Sequence, residues 1–215
     1  MQVFLDDRPL ETDATTLTDA LESARGAAES EGRLIVDVLL DNEPLDESQI
    51  VEAAEYDLGA AELKCYSVEP YSFVRQTFDQ VVAALDQISA LQRDTAEKIQ
   101  AGDLKAAMEQ LGATIELWDH AQMGVQGGAA LVGLDLDAVR TDDGSITEAI
   151  QELADRLRDI RSAVESGDWV ALSDCLGYEM GPVSEQWRGM LNELSRRVET
   201  AEAESKSAGE SGTGA

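Results

Sequence analysis

The one histidine, His120, lies one helical turn after Glu116, and an imidazole and a carboxylate at that spacing could share a metal ion or relay a proton. One histidine cannot supply a histidine pair, a three-histidine site or the doubled Glu-x-x-His set of a di-iron bundle. Acidic residues fill about a fifth of all positions, so neighbours of this kind arise from composition alone. Cys65 and Cys175 match no metal or redox spacing, and neither has a histidine near it in sequence that would turn its thiol into a nucleophile. Both are read as packing residues. The glycine-rich stretch Gly124-Val125-Gln126-Gly127-Gly128-Ala129-Ala130 follows a helical pattern and lacks the Lys-Ser/Thr ending with which a phosphate loop grips nucleotide. Close helix packing or fraying accounts for it. No catalytic, cofactor-binding or metal-ligating residue is assigned, no cofactor is expected, and the chain is read as a non-enzyme.

Binding chemistry is better represented. Trp118, Trp169 and Trp187 all fall on apolar stripes, where they can serve as core aromatics. Alternatively, with Met180 and Met190 beside Gly181-Pro182, they can line a groove, because methionine adapts to varied partners and a proline bends a helix open. Trp118, Trp169, Met180, Trp187 and Met190 are therefore the candidate partner-binding residues.

The elements that must position them follow from periodicity. From Phe78 onward apolar or small residues step by threes and fours through Val81, Leu85, Ile88, Thr95 and Ile99, and then through Leu104, Met108, Leu111, Ile115, Trp118, Gln122 and Val125. A third stripe runs from Ile146 to Val164 and a fourth from Trp169 to Val198. Gly102-Asp103 and Gly167-Asp168 separate the members of each pair, glycine suiting a left-handed helix end and aspartate the next N-cap. These pairs stand 65 positions apart, and the same offset aligns Leu85 with Ile150 and Leu111-Gly112 with Leu176-Gly177. Residues 70–202 are thus expected to form an all-α antiparallel four-helix bundle built from a duplicated helical hairpin. The link between the hairpins should run from Gly124 through Gly133 to Gly144, irregular at residues 132–136 and 141–144, and the fourth helix should kink without ending at Gly181-Pro182.

Residues 1–69 read differently. Val3 to Leu10 recurs 35 positions later as Val38 to Leu45, each copy a strand, a polar turn and a short return. A helix capped by Thr16 runs to about Glu31, residues 33–40 form a buried strand, Asp46 to Ile50 a short helix, and residues 62–68 an alternating strand. The expectation is a small α+β domain with a mixed, β-grasp-like sheet. Residues 203–215, rich in Gly and Ser, read as a disordered tail.

Hydrophobic residues at 43% allow a real core in a 215-residue chain, while 44 acidic against 16 basic residues leave a net charge of −28. That charge repels phosphate backbones and anionic lipid, so nucleic acid and membrane are not expected partners. It is split evenly between the first 70 residues and the rest, a spread that adaptation to high salt would also produce. No apolar run is long enough to span a bilayer and the first residues lack a signal-peptide pattern, so a cytoplasmic location is expected.

The long first helix from Tyr71, the Ala101-Gly102-Asp103-Leu104 turn and the segment Val183-Ser184-Glu185-Gln186-Trp187-Arg188 resemble the bacterial flagellin-export chaperones. The resemblance covers residues 71–200 and implies a small acidic helical bundle that holds an unfolded client segment. It assigns no individual residue a role. The expected function is a protein-binding chaperone or adaptor with another protein as partner. The alternatives are a structural homo-oligomer, a homodimer at its simplest, pairing through its helical seams, and a small-ligand or metal sensor.

Overall fold

Two hairpins of one design shape the N-terminal unit. In the computed structural model, which describes residues 2–45, 61–141 and 144–211, β1 (Gln2–Leu5) returns as β2 (Arg8–Leu10), and β3 (Leu34–Leu40) returns as β4 (Glu43–Pro44). The turns are Asp6-Asp7 and Asp41-Asn42, all four with φ between 50° and 66°. Two consecutive positive φ values give a turn whose twist matches the flanking strands, and Asp and Asn tolerate that conformation better than other residues with side chains. Leu5 faces Arg8 as Leu40 faces Glu43, so the sequence repeat is a repeated hairpin. β5 (Glu62–Val68) lies between the hairpins, parallel to β1 and antiparallel to β3, completing a mixed sheet in the order β2-β1-β5-β3-β4. Pro9 and Pro44 both fall on the outermost strands, where a missing N–H costs no ladder bond.

α1 (Leu17–Ser30) is capped by the Thr16 hydroxyl, which accepts from the Asp19 N–H at 3.2 Å. Its small inner face, Ala20, Ala24 and Ala28 with Leu17, packs on Val3, Leu5, Leu63 and Cys65. The expectation of a buried strand at 33–40 is corrected: β3 is half-buried to exposed along its length. The pairing with β5 shifts between Ile35 and Asp37, and this bulge leaves Val36 outward and 45% exposed while Ile35, Val38 and Leu40 pack against the core. The short helix expected at 46–50 lies outside the described residues.

The remainder is mostly helical. The chain divides into compact units Met1–Phe73 and Val74–Ala215. α2 (Pro70–Gln100) starts on a proline, and the Glu69 carboxylate accepts from the Ser72 N–H at 2.7 Å. α3 (Leu104–Leu131) follows, then a short 3₁₀ turn (Leu136–Ala138) and the two-residue strands β6 (Arg140–Thr141) and β7 (Gly144–Ser145). α4 (Ile146–Ser166) opens with a capping box: the Ser145 hydroxyl accepts from the Glu148 N–H, and the Glu148 carboxylate accepts from the Ser145 N–H at 2.7 Å. The last helix is built of α5 (Trp169–Asp174), a π-helical turn (Cys175–Glu179) and α6 (Met180–Ser211). α6 runs into the stretch from 203 that composition marks as a tail.

The two Gly-Asp turns match bond for bond. Gly102 and Gly167 have φ of 82° and 70°, and the Asp103 and Asp168 N–H groups donate to Lys98 and Ala163 carbonyls. Each aspartate side chain then caps the N–H three residues on, at Ala106 and at Ala171.

Two expectations for α3 are corrected. The helix continues through Gly124, Gly127 and Gly128 to Leu131, so the link begins not at Gly124 but at Val132, where its irregular stretch is expected. Its buried stripe is Ala107, Leu111, Thr114, Trp118, Ala121, Val125 and Gly128, one position off the expected Met108, Ile115 and Gln122. The reason is close approach: a Cβ on Gly128 would stand 2.9 Å from the Phe78 ring, and one on Gly124 3.2 Å from a Val81 methyl. Small residues win the inner face because α2 lies against them. Elsewhere contacts run antiparallel. Along α2 and the last helix they join Gln100 to Ser173, Asp86 to Arg188 and Arg75 to Glu202.

Candidate functional site

The expected partner-binding residues divide sharply. Trp118 and Trp187 are fully buried against each other, ring centroids 5.4 Å apart in an edge-to-face contact worth about 0.5–1.5 kcal/mol beyond its buried area. The Trp187 indole N–H donates to the Ala149 carbonyl at 3.3 Å, tying α6 to α4. Met180 and Met190 are buried as well, and only Trp169, at the start of α5, is partly exposed. Four of the five thus belong to the core, and no groove exposes them in this structure. The heptad spacing that placed them on stripes is the reason: a stripe position faces the neighbouring helices.

The surface above them is open. Gly181-Pro182 does mark a break, and the break takes the form of the π turn just before it. Pro182 has no N–H to offer the carbonyl four residues back, at Tyr178. The helix widens there, and the Met180 N–H donates five residues back, to Cys175. Gly177 sits inside this turn, where an added Cβ would meet only the Ala96 Cβ of α2, at 3.7 Å. In α3, 65 positions earlier, the helix is regular.

Beside the π turn lies a cleft of about 880 Å³. Glu148, Glu152 and Arg156 of α4 form one wall; Tyr178, Pro182 and Val183 supply the apolar part of the other, with Glu179, Glu185 and Gln186 at its edges. Tyr178 is 74% exposed. A smaller hollow of about 490 Å³ continues on the far side of Arg156 and Glu179, lined by Asp159, Asp168, Asp174 and Cys175 among others. Arg156 divides the two spaces: its guanidinium group holds Glu152 at 2.9 Å, Asp159 at 3.0 Å and, across the helices, Glu179 at 2.7 Å. The Glu152 hydrogen bond leads the interactions that raise the Arg156 pKa. The Ser145 backbone and hydroxyl hold the Glu148 carboxyl below the usual range, so it stays ionised at the cleft mouth.

Little here suits covalent chemistry. Burial pushes the Cys175 thiol up to about 11, reinforced by Glu179 and Asp159, so at neutral pH it is a protonated packing group. Burial likewise raises Cys65 to about 11. His120 and Glu116 are both exposed on α3. Among the described residues no group of three or more His, Cys, Asp or Glu could hold a metal ion. What the arrangement offers is a mixed apolar and acidic cleft at a weak point of a long helix. Tyr178 and Arg156, its central features, were not among the sequence candidates, although Pro182 four residues after Tyr178 was a usable signal.

Fold and cleft together define a mostly helical protein with a small N-terminal mixed sheet. The chain belongs to the DUF8042 family, described as a domain of unknown function, whose model matches residues 76–190. That span runs from within α2 to within α6 and includes both Gly-Asp turns, the π turn and the cleft. No curated protein and no solved structure matches the chain. Among the described residues no helix is long and apolar enough to cross a membrane.

Proposed function

We propose that this protein is a non-enzymatic chaperone or adaptor of the cytoplasm that holds an apolar segment of another protein at the cleft beside the π turn. The observation that carries the reading is the π turn itself. A helical irregularity with no N–H from Pro182 to close it sits under an exposed tyrosine and beside an open cleft, and such turns cluster at functional sites. Apolar anchors at Tyr178, Pro182 and Val183 within an acidic rim suit an amphipathic helix or extended segment with basic flanks.

In this reading residues 70–202 form an antiparallel four-helix bundle from a duplicated hairpin. The antiparallel contacts of α2 with α3 and with the last helix support the bundle, and the two matched Gly-Asp turns support the duplication. The strand order β2-β1-β5-β3-β4 with one covering helix supports a β-grasp-like docking domain before it. The resemblance to flagellin-export chaperones is part of the same proposal.

The test is fluorescence anisotropy with a labelled amphipathic Leu/Ser/Lys peptide about five helical turns long. Saturable binding is expected, weakened by Tyr178→Ala, whose exposed side chain contributes little to folding. No saturable signal at protein concentrations into the millimolar range, where about −4 kcal/mol of binding would register, refutes the reading.

A further inference from the structure

The cleft borders a short piece of the last helix with a backbone irregularity at each end. Residues Trp169–Glu179 enter from a left-handed Gly167 and leave through the π turn into Gly181-Pro182. Their outer side carries Asp174 and Glu179 with the exposed Val170 and Tyr178. Their inner side buries Leu172, Ser173, Cys175 and Leu176. The polar ties that hold the piece down include the Gln100 amide donating to the Ser173 hydroxyl at 2.9 Å and the exposed ion pair of Arg156 with Glu179 at 2.7 Å.

The core next to this piece holds a buried polar group without a partner among the described residues. Gln92 lies on α2 one turn before Ala96, whose Cβ would stand 3.7 Å from a Cβ added at Gly177. Its side-chain amide donor is buried without an acceptor. Ser184, also buried, spends its hydroxyl on the Met180 carbonyl at 3.2 Å, a back-bond that bends helices. A buried donor without a partner carries its full desolvation cost, so the closed arrangement is weakened at this layer.

We propose that Trp169–Glu179 is a flap that swings out on the Gly167 and π-turn hinges, and that the client segment takes the seat vacated by Leu172 and Leu176. The occupant is therefore a short amphipathic helix with two apolar anchors one turn apart, an imitation of the flap's own inner face. This rests on the function proposed above and specifies how its site opens.

A disulfide decides it. The Ala96 Cβ and a Cβ at Gly177 stand 3.7 Å apart, within the range of about 3.5–4.5 Å that a disulfide spans, so Ala96→Cys with Gly177→Cys pins the flap to α2. Cys65 and Cys175, both buried with thiols raised to about 11, react slowly under the same oxidation, and peptide mapping verifies the intended bond. Hydrogen exchange of the amides of residues 169–179 is measured in the oxidised and reduced forms, alongside anisotropy with the Leu/Ser/Lys peptide. The flap predicts faster exchange there than in α2 and α6 when reduced and slower exchange when oxidised. It also predicts peptide affinity at least about tenfold weaker in the oxidised form, since locking removes the competent population. Equal exchange in the two forms overturns the flap whether or not the peptide binds. Equal affinity overturns its role in binding. A reduced form and parent that bind no peptide overturn the functional reading, and exchange alone then judges the flap.

Discussion

A methyl group added at Gly127 and one added at Gly128 should shift the stability of the helical unit in opposite directions, although the two residues are neighbours on α3. At Gly127 nothing lies within 4 Å of the new Cβ, so the change acts through helix propensity alone and stabilises by about 0.8–1.0 kcal/mol. At Gly128 the new Cβ would stand 2.9 Å from the Phe78 ring and 3.2 Å from a Val74 methyl. Both partners are fully buried, and neither is the free end of a long flexible chain. Overpacking of that kind costs about 1–3 kcal/mol, from which the same propensity gain is subtracted, leaving a net loss of up to about 2 kcal/mol. The two variants should then differ by about 1–3 kcal/mol. Urea denaturation followed by tryptophan fluorescence measures this cleanly, because Trp118, Trp169 and Trp187 all belong to the helical unit. If Gly128→Ala is as stable as Gly127→Ala, α2 does not approach α3 as closely as described, and the account of why small residues occupy that face fails with it.

Trp187→Ala should cost about 3–5 kcal/mol, the range for emptying a buried tryptophan site. Trp187→Phe should cost less, keeping the ring while losing the bond to the Ala149 carbonyl; equilibrium denaturation showing either variant near parental stability contradicts the core placement. Asp6 gives a pH signature in the N-terminal unit. Burial pushes its carboxyl up, but the Ser67 backbone and hydroxyl hydrogen bonds with Arg33 and Arg8 outweigh that and hold it below the usual aspartate range. A folded value below the unfolded one means the contribution is full above the unfolded value and fades as pH falls through the folded one. Asp6→Asn should therefore destabilise the unit at neutral pH, and the gap from the parent should close in acid; a gap independent of pH, read by circular dichroism melts, refutes this.

Periodicity carried much of the fold. The Thr16, Asp103 and Asp168 caps, the two Asp/Asn turns and the existence of the long helices are local signals, each decided by a few neighbouring residues, and the structure places them where the sequence does. The buried strand failed at Val36 because a bulge changes which side chains face inward, and an apolar run looks the same with or without one. The α3 stripe failed for a related reason. Size complementarity with Phe78 and Val81 decides its inner face, and that information lies on another helix, about 45 residues away in sequence. The site was half legible. Gly181-Pro182 pointed to the break, but the large aromatics that look like binding residues in sequence are the ones a core needs most. The cleft is instead framed by Tyr178 and Arg156, whose exposure and ion pairs follow from tertiary placement.

Charge connects the cleft to the rest of the chain. Many arginines and lysines already hold a carboxylate within 4.0 Å, Arg156 holding three, so an anionic ligand would have to break existing pairs to reach a cation. Exposed pairs of this kind contribute about 0–1 kcal/mol each and are screened over about 8–10 Å at ordinary salt. The surplus of −28, by contrast, repels itself throughout the surface. Added salt therefore acts in two directions at once: it relieves the general repulsion and strengthens the fold, while it loosens the Arg156–Glu179 tie that helps hold the flap. A helix secured at its break by an exposed ion pair, within a chain that salt stabilises as a whole, can open locally under conditions in which the rest of the molecule is most secure.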